Sequence, residues 1–294
     1  MLKALKQARK TLALLNPDEI LKRSRQPLHI GLVAASAPAY AEMEEYLLPS
    51  SIALEERTYR IDRVHRVGEP GVPDNVDLIL FEQGLPAAKG TYTFQRENPA
   101  ATVAEILRGN EDIALPLARQ FPAFRTPVVE RTIHAVAREN ALFAVATAVP
   151  DIVPSLIELP WALGEFGSDT VFLTGNEIRM AFLIAAAHGK EVGLAGQKGV
   201  ILTIVAGAFG WRALARELAG KIPLGGGLIP KGAIAYAGTY AVGKSLELYY
   251  RGQGGYTREQ RRALYRQALD RGREVAAAAA QEPLSRSHAI RGVQ

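Results

Sequence analysis

The segment of this chain with the clearest potential for chemistry is Gly238–Ser245, which fits the phosphate-binding pattern G-x-x-x-x-G-K-[ST]. A working phosphate loop leaves a buried strand, wraps phosphate oxygens with backbone N–H groups and opens a helix. Here only Leu246–Arg251 could form that helix before a glycine-rich stretch begins. We therefore interpret the string as part of an apolar helix, with small residues for close contact at Gly238, Ala241 and Gly243.

Five polar positions in apolar surroundings are the remaining candidates for function: Asn140, Asp151, Asn176, Glu177 and Arg179. For Glu177 and Arg179, two readings stay open: an ion pair across a helical bundle, or a polar switch or partner contact. Asp151 interrupts a long apolar stretch, either as a helix cap or as a polar site within a membrane. We assign no catalytic, cofactor-binding or metal-binding role to any of them.

Cysteine is absent, which excludes disulfides, thiolate nucleophiles and cysteine-bound zinc. The five histidines are isolated in the sequence, and none pairs with another histidine or an acid at metal-ligand spacing. We expect each to be structural, with no metal and no cofactor: His29, His65, His134, His188 and His288. Ser36, in the loop after the first predicted strand, remains open as a donor to an anion.

Residues 28–125 alternate strand and helix patterns, which predicts a small and mostly parallel sheet. The predicted strands are Leu28–Ala35, Ile52–Val67, Val76–Glu82 and Asp112–Leu115. The predicted helices of this α/β unit are Pro38–Leu48 and Pro99–Leu107.

The rest of the chain has helical patterns. Residues 1–27 predict basic helices, residues 126–250 an apolar helical bundle, and residues 251–294 an arginine-rich helical tail. The predicted bundle and tail helices are Thr126–Val149, Thr170–His188, Lys198–Gly220, Lys231–Tyr250 and Thr257–Ala280, with fraying expected beyond Pro283. The fold class is therefore α/β plus all-α: a small sheet followed by an apolar bundle.

Several strings in the bundle carry a family resemblance: Ala137–Ala141, Ala148–Pro150, Leu173–Met180, Ala185–Gly189 and Tyr236–Ser245. On these residues, the block at 126–250 resembles the GTPase-associated helical family called domain of unknown function 697, which also occurs in YcjF-type bacterial inner-membrane proteins. That family has no assigned activity, and its members are often fused to a Ras-like GTPase domain.

The resemblance implies that residues 28–125 are the remains of a GTPase unit, a degenerate P-loop-like sheet. The loop Gly31–Tyr40 has no second glycine, no lysine and no Ser/Thr at the magnesium position, and no Asn-Lys-x-Asp string follows. These are the groups that phosphoryl transfer requires. We expect a non-catalytic protein. The alternative is a divergent nucleotide-binding, GTPase-like enzyme with a pocket around Gly31–Tyr40 and Asp77.

Both ends of the chain are basic. Residues 1–27 contain seven Lys/Arg and two acids, and residues 251–294 contain nine Arg and four acids, a net charge of +5 each. Such ends suit an anionic membrane surface or nucleic acid, and ordinary solvated helix faces explain them equally well. Nucleic acid is not expected, because only Tyr256 and Tyr265 offer bases a stacking surface among these charges.

Hydropathy leaves open whether the bundle spans a bilayer through a transmembrane helix, lies on its surface or is a soluble core. The longest uncharged runs, Gly199–Trp211 and Gly232–Gly243, have 13 and 12 residues, short of the roughly 20 that a spanning helix needs. The amino terminus lacks a secretory pattern. From the resemblance we expect a membrane-associated adaptor or scaffold on the cytoplasmic side of the bacterial inner membrane, with a cytoplasmic location as the alternative. A GTPase-type protein partner is expected, and a homo-oligomer is left open.

Overall fold

The computed structural model describes residues 15–148, 169–204 and 227–291. Over these ranges it contains a small parallel sheet together with many helices, which confirms the mixed α/β class. No helix in the described ranges is both long and apolar enough to cross a membrane.

Contacts divide the chain into two compact units. The sheet unit consists of Asp18–Glu130 and Ala185–Glu191, and the helical unit of Met1–Pro17, Arg131–Ile184 and Val192–Gln294. The division near residue 130 lies close to the boundary expected at residue 126. The arginine-rich tail groups with the bundle.

The sheet has four parallel strands in the order β2-β1-β3-β4. They are β1 (Ile30–Val33), β2 (Val64–Arg66), β3 (Leu78–Glu82) and β4 (Tyr92–Phe94). Ile30 of β1 lies beside Val64 on one side and Leu78 on the other. Strands β1 and β3 are central, and their residues Ile30, Leu32, Leu78 and Leu80 are buried.

In the ranges given above, five short helices precede the long helices of the bundle. Their bounds are α1 (Pro17–Ser24), α2 (Ala37–Leu47), α3 (Leu54–Ile61), α4 (Pro99–Gly109) and α5 (Ala114–Gln120). Local sequence explains two of the starts. Ser36 caps α2 by accepting from the Ala39 N–H at 3.3 Å, and Asn98 caps α4 by accepting from the Ala101 N–H at 3.3 Å.

One predicted strand is wrong, and another is right only near its end. Within Ile52–Val67, the segment Leu54–Ile61 is helix α3, which has acids in its first turn and an ion pair between Glu56 and Arg60 one turn apart, and strand β2 follows at Val64–Arg66. Asp112–Leu115 instead leads into helix α5, where residues from 115 to 118 are buried. The fourth strand is β4, which the sequence did not reveal because three residues give too short a pattern.

The helices of the bundle and tail are longer. They are α6 (Pro122–Ala146), α7 (Asp169–Ala187), α8 (Leu228–Tyr250) and α9 (Arg258–Arg291), and residues 198–204 are also helical. Helix α6 starts four residues earlier than expected, so Pro127 lies inside it rather than at its first position. Helix α9 continues through Pro283, where fraying was expected.

Helices α8 and α9 pack closely through small residues. A buried cluster joins Ala233, Ala237 and Ala241 of α8 to Tyr265 and Leu269 of α9. A methyl group added at Gly272 of α9 would lie 2.8 Å from the Ala233 carbonyl oxygen, which leaves room for glycine alone. Such approach of backbones is what small residues at a helix interface permit.

Candidate functional site

The phosphate-loop string lies entirely inside helix α8, which confirms that it is part of an apolar helix. Its lysine and serine are both engaged within that helix. Lys244 contacts the carboxylate of Glu247 at 2.5 Å, and the Ser245 hydroxyl donates to the Ala241 carbonyl oxygen at 2.8 Å. A working phosphate loop needs these groups at a helix N-terminus, whereas they lie in the last two turns of α8.

The buried acid Glu247 explains why a lysine stands at position 244 of this apolar helix. It is 3% exposed, and besides Lys244 it contacts the Arg251 guanidinium at 2.6 Å. A buried carboxylate is tolerated when cations compensate its charge. Lys244 therefore compensates the charge of Glu247, and the resemblance of the string to a phosphate loop is coincidental.

The small residues of the string do not all serve close packing. A methyl group at Gly243 would lie 2.8 Å from side-chain carbons of Ile133, so this glycine marks a tight contact between α6 and α8. Ala241 is fully buried. Gly238 has nothing within 4 Å of where a methyl group would stand, so the prediction was wrong at this position.

Three of the five candidate polar residues meet in a buried cluster between α6, α7 and α8. The Asn176 amide donates to the Asn140 side-chain oxygen at 2.8 Å, and the Asn140 amide donates to the Thr239 hydroxyl oxygen at 2.8 Å. The Thr239 hydroxyl in turn donates to Glu177 at 3.4 Å. Asn140 and Asn176 are fully buried, so this network adds buried polar contacts between the three helices.

The other two candidates fall elsewhere. Arg179 forms an ion pair with Glu139, across α6 and α7, as one of the two readings predicted. Asp151 lies outside the described residues, so its role stays a prediction.

The carboxyl edge of the sheet is the second place where a ligand would be expected. Connections leave β1 and β3 toward opposite sides of the sheet, and open α/β sheets bind ligands at such a switch point. Here the Ala35 N–H, in the loop after β1, donates to the carboxylate of Glu82 at 2.8 Å. Glu82 ends β3. A carboxylate of the protein itself thus accepts from the first loop at this edge.

Neighbouring groups at this edge are also paired with one another. The backbone N–H of Arg96 donates to the Gln83 side-chain oxygen at 3.2 Å. Two nitrogens of the Arg96 guanidinium donate to the Glu42 carboxylate on α2. Ser36 was considered above as a hydrogen-bond donor to an anion, and its side-chain oxygen caps α2. Polar groups here therefore stabilise the loop conformation.

The histidines are less isolated than the sequence suggested. His29 Nδ1 lies 2.8 Å from His65 Nε2, and the two rings stack with centroids 5.0 Å apart, because β1 and β2 are neighbours. Likewise His134 Nδ1 lies 2.7 Å from the Tyr236 hydroxyl. The spacing of the histidines along the chain gave no sign of these contacts, and their structural role stays a prediction. No group of three or more His, Cys, Asp or Glu that could hold a metal is found in the part of the chain that the structure describes.

Sequence reasoning missed Thr239, Glu247 and Glu82. Thr239 and Glu247 are polar residues in an apolar helix, the same signal that singled out Asn140 and Asn176. Glu82 stands at the end of the strongest apolar strand, where parallel sheets place functional groups.

The chain matches no protein-family model, no curated protein and no solved structure.

Proposed function

We propose that this protein is a non-catalytic adaptor of the GTPase-associated type. In this proposal the sheet unit is a degenerate P-loop-like domain that no longer grips a nucleotide, and the helical unit binds an anionic membrane surface and a GTPase-type protein partner. The observation that carries the first part is the bond from the Ala35 N–H to Glu82 at the switch point. A nucleotide phosphate at that place would have to displace a carboxylate and then lie beside it.

A second observation supports the same reading. The one lysine of the phosphate-loop string neutralises a buried acid, Glu247, and removing it to hold phosphate would leave that acid with a single cation. At both places where the sequence suggests a phosphate site, a carboxylate of the chain already contacts the group that would bind the phosphate.

The membrane part of the proposal rests on the first turns of α9. Arg258, Arg261 and Arg266 are exposed there, and no acid lies within ion-pair distance of them in the described part of the chain. Each arginine held near an anionic bilayer contributes about 1 kcal/mol of attraction. Three of them therefore provide about 3 kcal/mol, or roughly a hundredfold in affinity.

Nucleotide binding is tested by calorimetry with GTP and ATP, each with magnesium. We expect no saturable heat that depends on magnesium. Saturable, magnesium-dependent binding by the wild-type protein would favour the alternative, a divergent nucleotide-binding enzyme.

Membrane binding is tested by flotation with vesicles of phosphatidylglycerol and phosphatidylcholine, compared with phosphatidylcholine alone. The wild-type protein should float with the anionic vesicles, and the triple variant R258Q/R261Q/R266Q should bind them roughly a hundredfold more weakly. The matched control is R271E/E274R, which exchanges an exposed ion pair on the same helix and keeps the net charge. Equal binding to neutral vesicles, or no loss in the triple variant, would refute this part of the proposal.

A further inference from the structure

The sheet unit contains a group of arginines that outnumber the acids around them. Arg60 of α3, Arg119 of α5 and Arg125 near the start of α6 all belong to this unit. Each has a pKa held below its usual range, first by burial. Repulsion from Arg25 and then from Arg60 lowers the pKa of Arg119 further, and repulsion from Arg60 does so for Arg125. The charge of Arg60 acts on both of the other arginines, so the three side chains belong to one electrostatic cluster.

Two of these arginines are fixed by one helix end. Arg119 Nη1 donates to the Ala186 carbonyl oxygen and Arg125 Nε donates to the Ala187 carbonyl oxygen, each at 3.2 Å. The carbonyl end of a helix carries partial negative charge and attracts cations. Helix α7 thus holds both side chains in place, but half an elementary charge does not neutralise two guanidinium groups.

Arg60 is the most buried of the three, with 9% of its surface exposed. Its charge is met by Glu56, one turn earlier on α3. Among the residues that the structure describes, Glu56 is the only carboxylate that acts on the pKa of Arg60 or Arg125. The three arginines and Glu56 together therefore carry a net charge of +2.

Hydrogen-bond donors are left over as well as charge. Arg60 Nη1 and Arg125 Nη2 are both buried, and neither has a hydrogen-bond partner within residues 15–148, 169–204 and 227–291. A buried charged donor without an acceptor costs several kcal/mol, so natural proteins rarely retain one unless something accepts from it. Two such donors in one cluster of positive charge are suited to oxygen atoms of an anion.

We propose that Arg60, Arg119 and Arg125 form a binding site for a phosphate group, separate from the switch point of the sheet. Phosphate fits better than a carboxylate because its two negative charges match the excess at the cluster. Its oxygens also accept from several guanidinium N–H groups at once. The site lies within the sheet unit, and it stands whether or not the proposed adaptor function is correct.

The test is calorimetry and thermal denaturation of the full-length protein with sodium orthophosphate, against sodium chloride and sodium acetate at equal ionic strength. We expect saturable binding of orthophosphate and a rise in melting temperature that chloride and acetate do not give. Glycerol 2-phosphate is the second phosphate probe. Binding of orthophosphate alone identifies the free ion as ligand, and binding of both identifies the phosphate group of a larger molecule.

The variants Arg60→Gln and Arg125→Gln should each weaken orthophosphate binding by about tenfold or more, because each removes a charged donor. Arg57→Gln is the matched control. Arg57 lies on the same helix but is committed to Glu45 and to the Leu48 carbonyl oxygen, so its loss should leave binding nearly unchanged. Glu82→Ala should also leave it unchanged, which separates this site from the switch point.

Glu56→Gln should change the orthophosphate affinity in the opposite direction, so it still tests the proposal if the arginine variants do not fold. It removes the acid that competes for Arg60, so orthophosphate should bind more tightly than to the wild type. The proposal is overturned if orthophosphate does not bind, if acetate binds equally well, or if Arg60→Gln and Glu56→Gln both leave the affinity unchanged.

Discussion

The two buried asparagines allow a prediction in which a second mutation repairs the damage of the first. Asn140→Leu keeps the branched shape of the side chain but removes its bonds with Thr239 and Asn176, each 2.8 Å long. The Asn176 amide is then buried with no partner on either atom, since its oxygen already lacks one in the described structure. At about 1–3 kcal/mol for each unpaired buried group, we expect a loss of about 2–4 kcal/mol in unfolding free energy.

Asn176→Leu should cost much less. It leaves the Asn140 oxygen unpaired, but it also removes the Asn176 oxygen that has no partner, so one unpaired group replaces another. The expected loss is about 0–1.5 kcal/mol. In the Asn140→Leu background, Asn176→Leu should raise the unfolding free energy by about 1–3 kcal/mol, because it removes an amide that has lost all its bonds.

Urea denaturation followed by far-ultraviolet circular dichroism measures all four members of this cycle. Asn75→Leu serves as the control, since Asn75 is exposed and its replacement should stay within about 0.5 kcal/mol of the wild type. If Asn176→Leu destabilises the Asn140→Leu protein further, or if the two losses simply add, the network does not couple the helices as argued.

Three further predictions concern single residues. Gly238→Ala should stabilise α8 by about 0.5–1 kcal/mol, since nothing in the described structure lies near a new methyl group. Gly243→Ala should instead lower the melting temperature, because its methyl group would press on Ile133. Lys244→Met should lower the unfolding free energy by about 1–2 kcal/mol in urea titration, because buried Glu247 loses one of its two cations. The pKa of His65 is lowered by burial and then by neighbouring positive charges. The unfolded state therefore binds the proton more readily, so stability should fall as the pH drops below about 6.5, and His65→Gln should flatten that fall between about pH 7 and 5.

Features that depend on local chemistry were predictable from the sequence. The strand at β3 follows from an unbroken apolar run, and α4 follows from Asn98 as a cap with Pro99 directly after it. The helical reading of Gly238–Ser245 follows from the apolar residues around it, and the structure confirms it.

Features that depend on distant partners were not predictable. The segment at α3 has alternating apolar residues that suggest a strand, yet ion pairs one turn apart favour helix, and sequence alone does not decide between them. Ala35 and Glu82 are separated by 47 residues, and His29 and His65 by 36. These pairs meet only because strand order places β1 between β2 and β3.

The balance between positive groups and carboxylates differs among the three places considered for phosphate. At the switch point and in α8, acids of the chain meet the groups that phosphate would use: Glu82 accepts from the Ala35 N–H, and Glu247 neutralises Lys244. An added phosphate at either place would face a carboxylate. At Arg60 and Arg125 the balance is reversed, since buried donors there exceed the available acceptors. If this chain binds phosphate, the physical chemistry therefore favours the arginine cluster over both places that the sequence patterns suggest.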